Sequence, residues 1–440
     1  MSEESRTLLC TESVSELNTN LGSEKNSKIY VESRDQDRDR PHATSNLDTC
    51  AHLIKSNIGT GLLGLPAAVM HAGIVVGPVC LAVMAIISVH CMHLLVESSH
   101  VWCKMKRKSA MSFSEIAAEC MEKFYPGKGW VGSIVVNVFL CVTQLGFCCV
   151  YVLFVGRNIE QIVSNYSTFN VSITIWIVII VPYFVAFSYI KNLTAISWLS
   201  LISIFCMILG VIFIFYHLIS NIGDPSGLPA FAGVDTLPLF FGVAIYAYEG
   251  IGLILPLENQ MKKPENFSWI LNLCMAFVTI LYVSMGLFGY LMCKEQCKGS
   301  ITLNLGSGIF VTITKGLITA GIFLTYFIQV YVPFDILEPW FLKHILKGES
   351  FFKSLVFRTF VVVFTGVLAS VIPQLDNFIA LVGALSSSAL ALVFPAVFHS
   401  ISCPDLSKIV HTKNIAIAIF GSVGGIFGTF VSIKSIIDNY

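Results

Sequence analysis

GTGLLGLP, which runs from Gly59 to Pro66, interrupts the first long apolar stretch of this 440-residue chain. Three glycines and a proline among eight residues do not sustain a continuous α-helix. Irregular backbone at membrane depth is tolerated only where protein or a polar cavity satisfies the freed groups. The motif therefore predicts a membrane helix that unwinds here, and broken helices of this kind form binding sites in transporters. The alternative is that the glycines and Pro66 serve close helix packing or a simple kink.

A second run with similar text, GIGLILP, extends from Gly250 to Pro256 in another apolar segment. The predicted helix that contains it crosses the membrane in the opposite direction to the first. Matched breaks of opposite direction predict two repeats of inverted topology, each built from five spans. The repeats are expected at about 50–216 and 237–398, followed by an additional helix at about 414–435.

The composition places the chain among membrane proteins. Hydrophobic residues make up 55% of it and charged residues 12%, whereas soluble domains carry about 25% charged residues. Eleven apolar stretches have the length of roughly 20 residues that crosses a bilayer, which predicts an all-α integral membrane protein of eleven transmembrane helices. The stretches lie at about 50–71, 74–97, 132–157, 172–190, 194–216, 237–258, 269–292, 309–333, 355–372, 376–398 and 414–435. A net charge of zero offers no basic surface for nucleic acid.

The loops and the tail predict the orientation. If residues 1–46 are cytoplasmic, most loop lysines and arginines lie inside, and the outer loops hold Lys294 and Lys298. The C-terminus is then expected to be extracellular or lumenal. Residues 1–46 lack sustained hydrophobic periodicity and are predicted to form a disordered cytoplasmic tail. Asn165 and Asn170 begin glycosylation sequons in a predicted outer loop.

The chemistry of the two breaks predicts a substrate. Unwinding frees N–H groups at the start of one half-helix and C=O groups at the end of the other, and these ends carry opposite partial charges. A carboxylate is expected to dock on the amides around Gly59, and an ammonium on the carbonyls near Tyr246 and Tyr248, so an amino acid suits the site. The predicted substrate-binding residues are Ile58, Gly59, Thr60, Gly61, Leu62, Gln144, Tyr246, Tyr248, Glu249 and Gly250.

Two titratable residues are candidates for proton coupling. Glu249, in AIYAYEGIG, lies immediately before the second break, at a depth where ionised carboxylates are costly and usually functional. Capping of the freed backbone is its alternative role. His52, at the predicted cytoplasmic start of the first span, titrates near physiological pH, with an ordinary interfacial histidine as the alternative. Gln144 suits either the substrate path or a hydrogen bond between helices.

Other functional classes find little support in the sequence. The 14 cysteines show no metal-ligand spacing, so no metal is expected. No cofactor is expected either, and the proton is the predicted coupling ion. No cluster of catalytic His, Asp or Ser residues stands out, which argues against an enzyme. An ion channel is disfavoured because no filter-like repeat or charged ring appears.

Several long motifs resemble one known family. They are HLIKSNIGTGLLGLPAAVMHAGIVVGP from His52, VHCMHLL from Val89, TQLGFCCVYVLF from Thr143, PLFFGVAIYAYEGIGLILPLENQM from Pro238, GSITLNL from Gly299 and VGALSSSALAL from Val382. Over about residues 50–435 the chain resembles the proton-coupled amino acid transporters of the amino acid/auxin permease family. The resemblance implies a LeuT-like fold with helices 1 and 6 broken. It also implies symport of a proton with glycine, alanine or proline, and GABA is a further candidate.

The resemblance also implies residue roles. His52 matches the family's proton-coupling histidine, the Gly59 to Gly61 segment matches the part that binds the substrate carboxylate, and Glu249 matches the acidic residue at the second break. One departure is Ser56, which stands where the family typically has glycine.

A second departure concerns cysteines. Vertebrate members usually bridge the loop between spans three and four to the loop after span seven. The 158–171 loop of this chain has no cysteine, so Cys293 and Cys297 are left to pair with each other, to pair with another chain, or to remain free.

The tail carries a sorting pattern. Glu4 to Leu9 reads ESRTLL, an acidic dileucine signal, in agreement with a family found in lysosomal, endosomal and plasma membranes, and it suggests cytosolic sorting or signalling partners. The leading hypothesis is proton-coupled symport of small neutral amino acids towards the cytosol. The alternatives are an amino acid uniporter and a nutrient sensor whose state is read through the tail.

Overall fold

The computed structural model describes residues 43–166, 171–190, 193–345, 350–403 and 406–438. Within these residues the chain is helical, apart from one isolated bridge between Thr44 and Met261. The Thr44 amide donates to the Gln260 carbonyl at 2.8 Å, so the chain is already anchored before the predicted tail boundary at residue 46. The sorting pattern at 4–9 and Asn170 lie outside the described residues.

The first break separates α1 (Asn46–Asn57) from α2 (Thr60–Ala72), which are bent by 49°. Only Ile58 and Gly59 leave the helical conformation, with φ of −87° and −159°. The unwinding is therefore shorter than the sequence predicts, because the stretch from Thr60 to Pro66 already belongs to α2.

Pro66 stays inside α2 because a neighbouring helix is shaped to receive it. On α10 (Phe267–Cys293), a Cβ added to Gly289 would lie 2.3 Å from the Pro66 Cγ. Such close approach through small residues is typical of membrane helix packing. The packing alternative therefore describes Pro66, whereas the interruption itself belongs to Gly59 and Gly64 continues α2.

The first half continues with five more helices, of which the second is short. They are α3 (Val76–Lys106), α4 (Phe113–Phe124), α5 (Gly129–Ser164), α6 (Ile173–Ser188) and α7 (Leu193–Ser220). The short helix α4 is amphipathic and begins at a capping box, in which the Ser112 hydroxyl accepts the Glu115 amide at 3.3 Å. It packs against α5.

The second half repeats the arrangement with its own break. Its helices are α8 (Leu237–Tyr248), α9 (Ile251–Gln260), α10, α11 (Ile309–Gln329), α12 (Tyr331–His344), α13 (Phe351–Val371), α14 (Leu375–Val382), α15 (Phe394–Ser402) and α16 (Lys408–Asp438). Two π-helical turns, Gly383–Ser387 and Ala389–Val393, join α14 to α15 as one span. Cys293, the last residue of α10, forms a disulfide with Cys297 in the segment that leads to α11.

The described residues contain nine helices or helix pairs that are long and apolar enough to cross a membrane. The bent pair of α1 and α2 and the 16-residue apolar helix α6 come in addition. Their order agrees with the eleven predicted segments, while the count of eleven spans stays a prediction.

The two broken spans lie side by side at the centre of the bundle. α2 packs against α8 and α10, and α8 also packs against α14 and α16. A Cβ added to Gly61 would lie 2.7 Å from the Ala247 Cα, so only glycine allows the two breaks to meet this closely. The fold thus brings together the two motifs that the sequence places about 190 residues apart.

A candidate substrate site at the two helix breaks

The second break begins where α8 ends at Tyr248. Glu249 is extended, with φ of −74° and ψ of 109°, and Gly250 precedes the first residue of α9. No side chain caps the start of α9, and none caps the start of α2. Both half-helices therefore begin with backbone amides that have no side-chain acceptor at the cap position.

A hydrogen bond joins the two broken spans across the site. The Thr60 and Tyr246 hydroxyls lie 2.8 Å apart, and both residues are buried. The Tyr246 ring also packs edge-on against Phe147 of α5, with 4.6 Å between ring centroids. These contacts fix the aromatic wall that faces the first break.

The breaks enclose a small cavity. Its volume is about 20 Å³. The lining residues are Ser56, Asn57, Gly59, Thr60, Gly61, Phe147, Tyr151, Tyr246, Ala247, Glu249 and Gln329. The cavity is therefore narrow, and a substrate of more than a few heavy atoms requires the side chains that line it to move.

Glu249 is the only ionisable carboxyl among the residues that line this cavity. It is 6% exposed, and its Oε1 has no hydrogen-bond partner among the described residues. A buried carboxylate without a partner is costly, whereas a protonated carboxyl is tolerated far better. Within the described residues the Glu249 Oε1 caps no backbone group, and the proton-binding role of Glu249 stays a prediction.

Half of the predicted substrate-binding residues line this cavity, and the other half do not. Gly59, Thr60, Gly61, Tyr246 and Glu249 line it, whereas Ile58, Leu62, Gln144, Tyr248 and Gly250 do not. The Tyr248 ring is turned towards Tyr282, with 4.9 Å between ring centroids. Gln144 is buried on α5, and its Oε1 has no partner within the described part of the chain.

His52 lies apart from the cavity. It is exposed on α1, five residues before Asn57, which is about 7 Å along a helix axis. The neighbouring Lys55 donates a hydrogen bond to the Ser200 hydroxyl of α7. The first helix is thus held to α7 through Lys55, and the structure does not bring His52 and Glu249 together.

Several lining residues were not predicted, although the sequence holds a signal for some of them. Phe147 and Tyr151 follow Gln144 at spacings of three and seven, which puts all three on one face of α5. Gln329 is the last residue of α11, and only Val330 separates it from α12. Asn57 ends α1 directly before the break. Polar residues next to helix interruptions therefore mark the site better than the glycine motif alone.

A central cavity between two interrupted spans of an all-helical membrane protein defines the class of a membrane transporter. The family model described as transmembrane amino acid transporter protein matches residues 42–434. The chain belongs to this family, as its resemblance to the amino acid/auxin permeases implies, and the family comprises transporters and not enzymes.

Individual relatives agree with this assignment. The chain is 33% identical to "Proton-coupled amino acid transporter-like protein pathetic" of Drosophila melanogaster, over 92% of this chain and 88% of that protein. It is 29% identical to "Amino acid transporter ANT1" of Arabidopsis thaliana, over 89% and 93% of the two chains. Amino acid transport is therefore the function of this chain at the level of its family.

The fold has a counterpart among solved structures. The inward-facing conformation of Mhp1 superposes with a TM-score of 0.56, covering 91% of this chain and 90% of that one at 13% identity. Likeness at this identity concerns the fold alone, and it confirms the predicted LeuT-like arrangement.

Proposed function

We propose that the protein is a secondary active transporter that couples protons to the movement of small neutral amino acids towards the cytosol. Glycine, alanine and proline are the proposed substrates, with GABA as a further candidate. One observation carries the proposal: the cavity that holds the uncapped start of α2 also holds the buried carboxyl of Glu249.

The start of α2 supplies the site for the substrate carboxylate. Gly59, Thr60 and Gly61 line the cavity, and the first amides of a helix point out of its N-terminal end with a positive partial charge. The absence of side chains at Gly59 and Gly61 lets a ligand approach the backbone closely. An amino acid bound in this way keeps its ammonium free to face the other break.

Glu249 supplies the proposed proton site. With its Oε1 unpartnered within the described residues, the carboxyl is expected to bind a proton before the walls close around it. Its release on the opposite side then restores the empty transporter. The printed name of the Drosophila relative, a proton-coupled amino acid transporter-like protein, supports this proposal.

The residues that line the cavity favour small neutral substrates. Phe147, Tyr151 and Tyr246 occupy the space that a long side chain needs, and no lysine or arginine is among the lining residues. An acidic side chain would therefore find no cation to pair with. A methyl group or a proline ring places the least demand on the aromatic wall.

The orientation and location extend the proposal. We place the N-terminus in the cytoplasm and the C-terminus outside or in the lumen, because loop lysines and arginines favour the inner side. Lysosomal or endosomal membranes and the plasma membrane are the proposed locations, with the tail engaging cytosolic sorting or signalling partners. Asn165, which is exposed after the end of α5, and Asn170 are the proposed glycosylation sites.

Uptake into proteoliposomes tests the proposal. Labelled glycine, alanine and proline are offered with and without an inward acid gradient, and saturable uptake that the gradient enhances is expected. Glu249→Gln, which stays neutral at every pH, is expected to abolish the enhancement while uptake without a gradient continues.

Glu258→Gln is the matched control. Glu258 is also buried, on α9, but its Oε1 lies 3.1 Å from the His100 Nε2, a contact that glutamine can keep. Gradient enhancement should survive this change. Saturable uptake by the wild type that ignores the gradient would remove the proton and leave the uniporter alternative.

A further inference from the structure

A tyrosine on α10 touches both broken spans at once. The Tyr282 hydroxyl hydrogen-bonds the Asn57 carbonyl and lies 2.8 Å from the Ala247 carbonyl oxygen. The side chain is fully buried, and its ring packs against Tyr248. One phenol therefore connects the end of α1 with the end of α8.

The two carbonyls that Tyr282 contacts belong to helix ends. Asn57 is the last residue of α1, and Ala247 is the last but one of α8. The last four carbonyls of a helix lack intrahelical donors and carry its negative partial charge. Two such ends repel each other when they converge, and a tyrosine offers a single proton to hold them.

The same contact sets the width of the cavity. Asn57 and Ala247 both line it, and Ala247 packs directly against Gly61 of the other break. A change in the distance between the two carbonyls therefore moves the opposite walls of the site. The Tyr282 hydroxyl also occupies the Ala247 carbonyl, one of the groups that the sequence predicts to bind a substrate ammonium.

We propose that Tyr282 is a positioning residue, whose hydroxyl ties the two interrupted helices together and so fixes the spacing of the two breaks that a bound substrate contacts. The proposal rests on the proposed function, since it concerns the same cavity. In an open arrangement, water can solvate each carbonyl separately. Loss of the hydroxyl therefore destabilises the arrangement in which the two breaks meet more than one in which they lie apart.

Tyr282→Phe removes the hydroxyl and keeps the ring. In proteoliposomes we expect the KM for alanine to rise about tenfold, with Vmax within about twofold of the wild type. The detergent-solubilised variant should also show a smaller increase in melting temperature when alanine is added. A purely structural role would lower the melting temperature without alanine and leave the alanine-induced increase unchanged.

Tyr290→Phe is the matched control, because Tyr290 is a buried tyrosine two turns further along α10. This variant should keep the wild-type KM. If Tyr282→Phe and Tyr290→Phe both match the wild type in KM and in the alanine-induced stabilisation, the tether is refuted. If the wild type itself takes up no alanine, the failure lies with the proposed substrate and not with Tyr282.

Discussion

The two breaks share a sequence pattern and differ in what they contribute. In the first, the span bends by 49° at Ile58 and Gly59, and Gly59, Thr60 and Gly61 present backbone and a hydroxyl to the cavity. In the second, Gly250-Ile251-Gly252 stays behind the cavity, and Leu237–Gln260 still forms one span. Only Glu249, just before it, reaches the site from the break itself.

This difference indicates that the two inverted repeats contribute different chemical groups to the site. The first break offers N–H donors and a hydroxyl to a ligand, whereas the second offers a carboxyl and the carbonyl end of α8. An amino acid has one group for each, so the asymmetry of the pair matches the asymmetry of a zwitterion. Equivalent positions in the two repeats should therefore respond unequally to the same substitution.

The largest inequality is expected between Gly61 and Gly252. A Cβ at Gly61 would lie 2.7 Å from the backbone of Ala247, whereas one at Gly252 would lie 3.4 Å from a flexible Leu140 side chain. Overpacking of this kind costs about 1–3 kcal/mol, so Gly61→Ala should lower alanine uptake about a hundredfold. Gly252→Ala should transport within about twofold of the wild type, since Leu140 can shift.

Uptake at subsaturating alanine, normalised to reconstituted protein, checks this pair. Wild-type uptake by both variants would show that the breaks are not in contact during transport. Equal loss in both would show that the second break also lines the substrate path.

A smaller inequality is expected between Thr60 and Ile251, which occupy matching positions. Thr60 supplies the hydroxyl that meets Tyr246 at 2.8 Å, whereas Ile251 is buried and apolar. Thr60→Val leaves the Tyr246 hydroxyl without this partner, at a cost of about 1–3 kcal/mol, and should raise the KM for alanine roughly tenfold. Ile251→Val removes one methylene and should leave the KM within about twofold. A Thr60→Val variant with unchanged KM would mean that this hydrogen bond is absent from the substrate-bound state.

The sequence predicts much of this fold because membrane helices leave a direct signature. Apolar length locates the spans, and the repeated glycine-proline text locates both interruptions. It does not predict how short the first unwound segment is. Pro66 looks like a helix breaker, yet its fit against Gly289 decides its conformation, and that fit depends on a residue over 200 positions away.

The site is less predictable for the same reason. Sequence reasoning finds the residues at the breaks, such as Thr60 and Glu249, because the interruption itself marks them. It misses Tyr151, Gln329 and Tyr282, which lie within or at the end of regular helices and reach the breaks only through packing. Polar side chains inside apolar spans carry a signal, but helix rotation decides whether they face the cavity.

The smallest effect is expected for His52. The histidine is exposed on α1, outside the cavity, whereas Glu249 is buried within it. An exposed histidine at the predicted cytoplasmic end can accept a proton that leaves the site, but water and buffer there can accept it too. His52→Ala should therefore lower the enhancement of uptake by an inward acid gradient only about twofold, and uptake without a gradient should not change. Loss of all enhancement in His52→Ala, as expected for Glu249→Gln, would instead make His52 an obligatory step of the proton path. Full enhancement would leave His52 without a role in coupling.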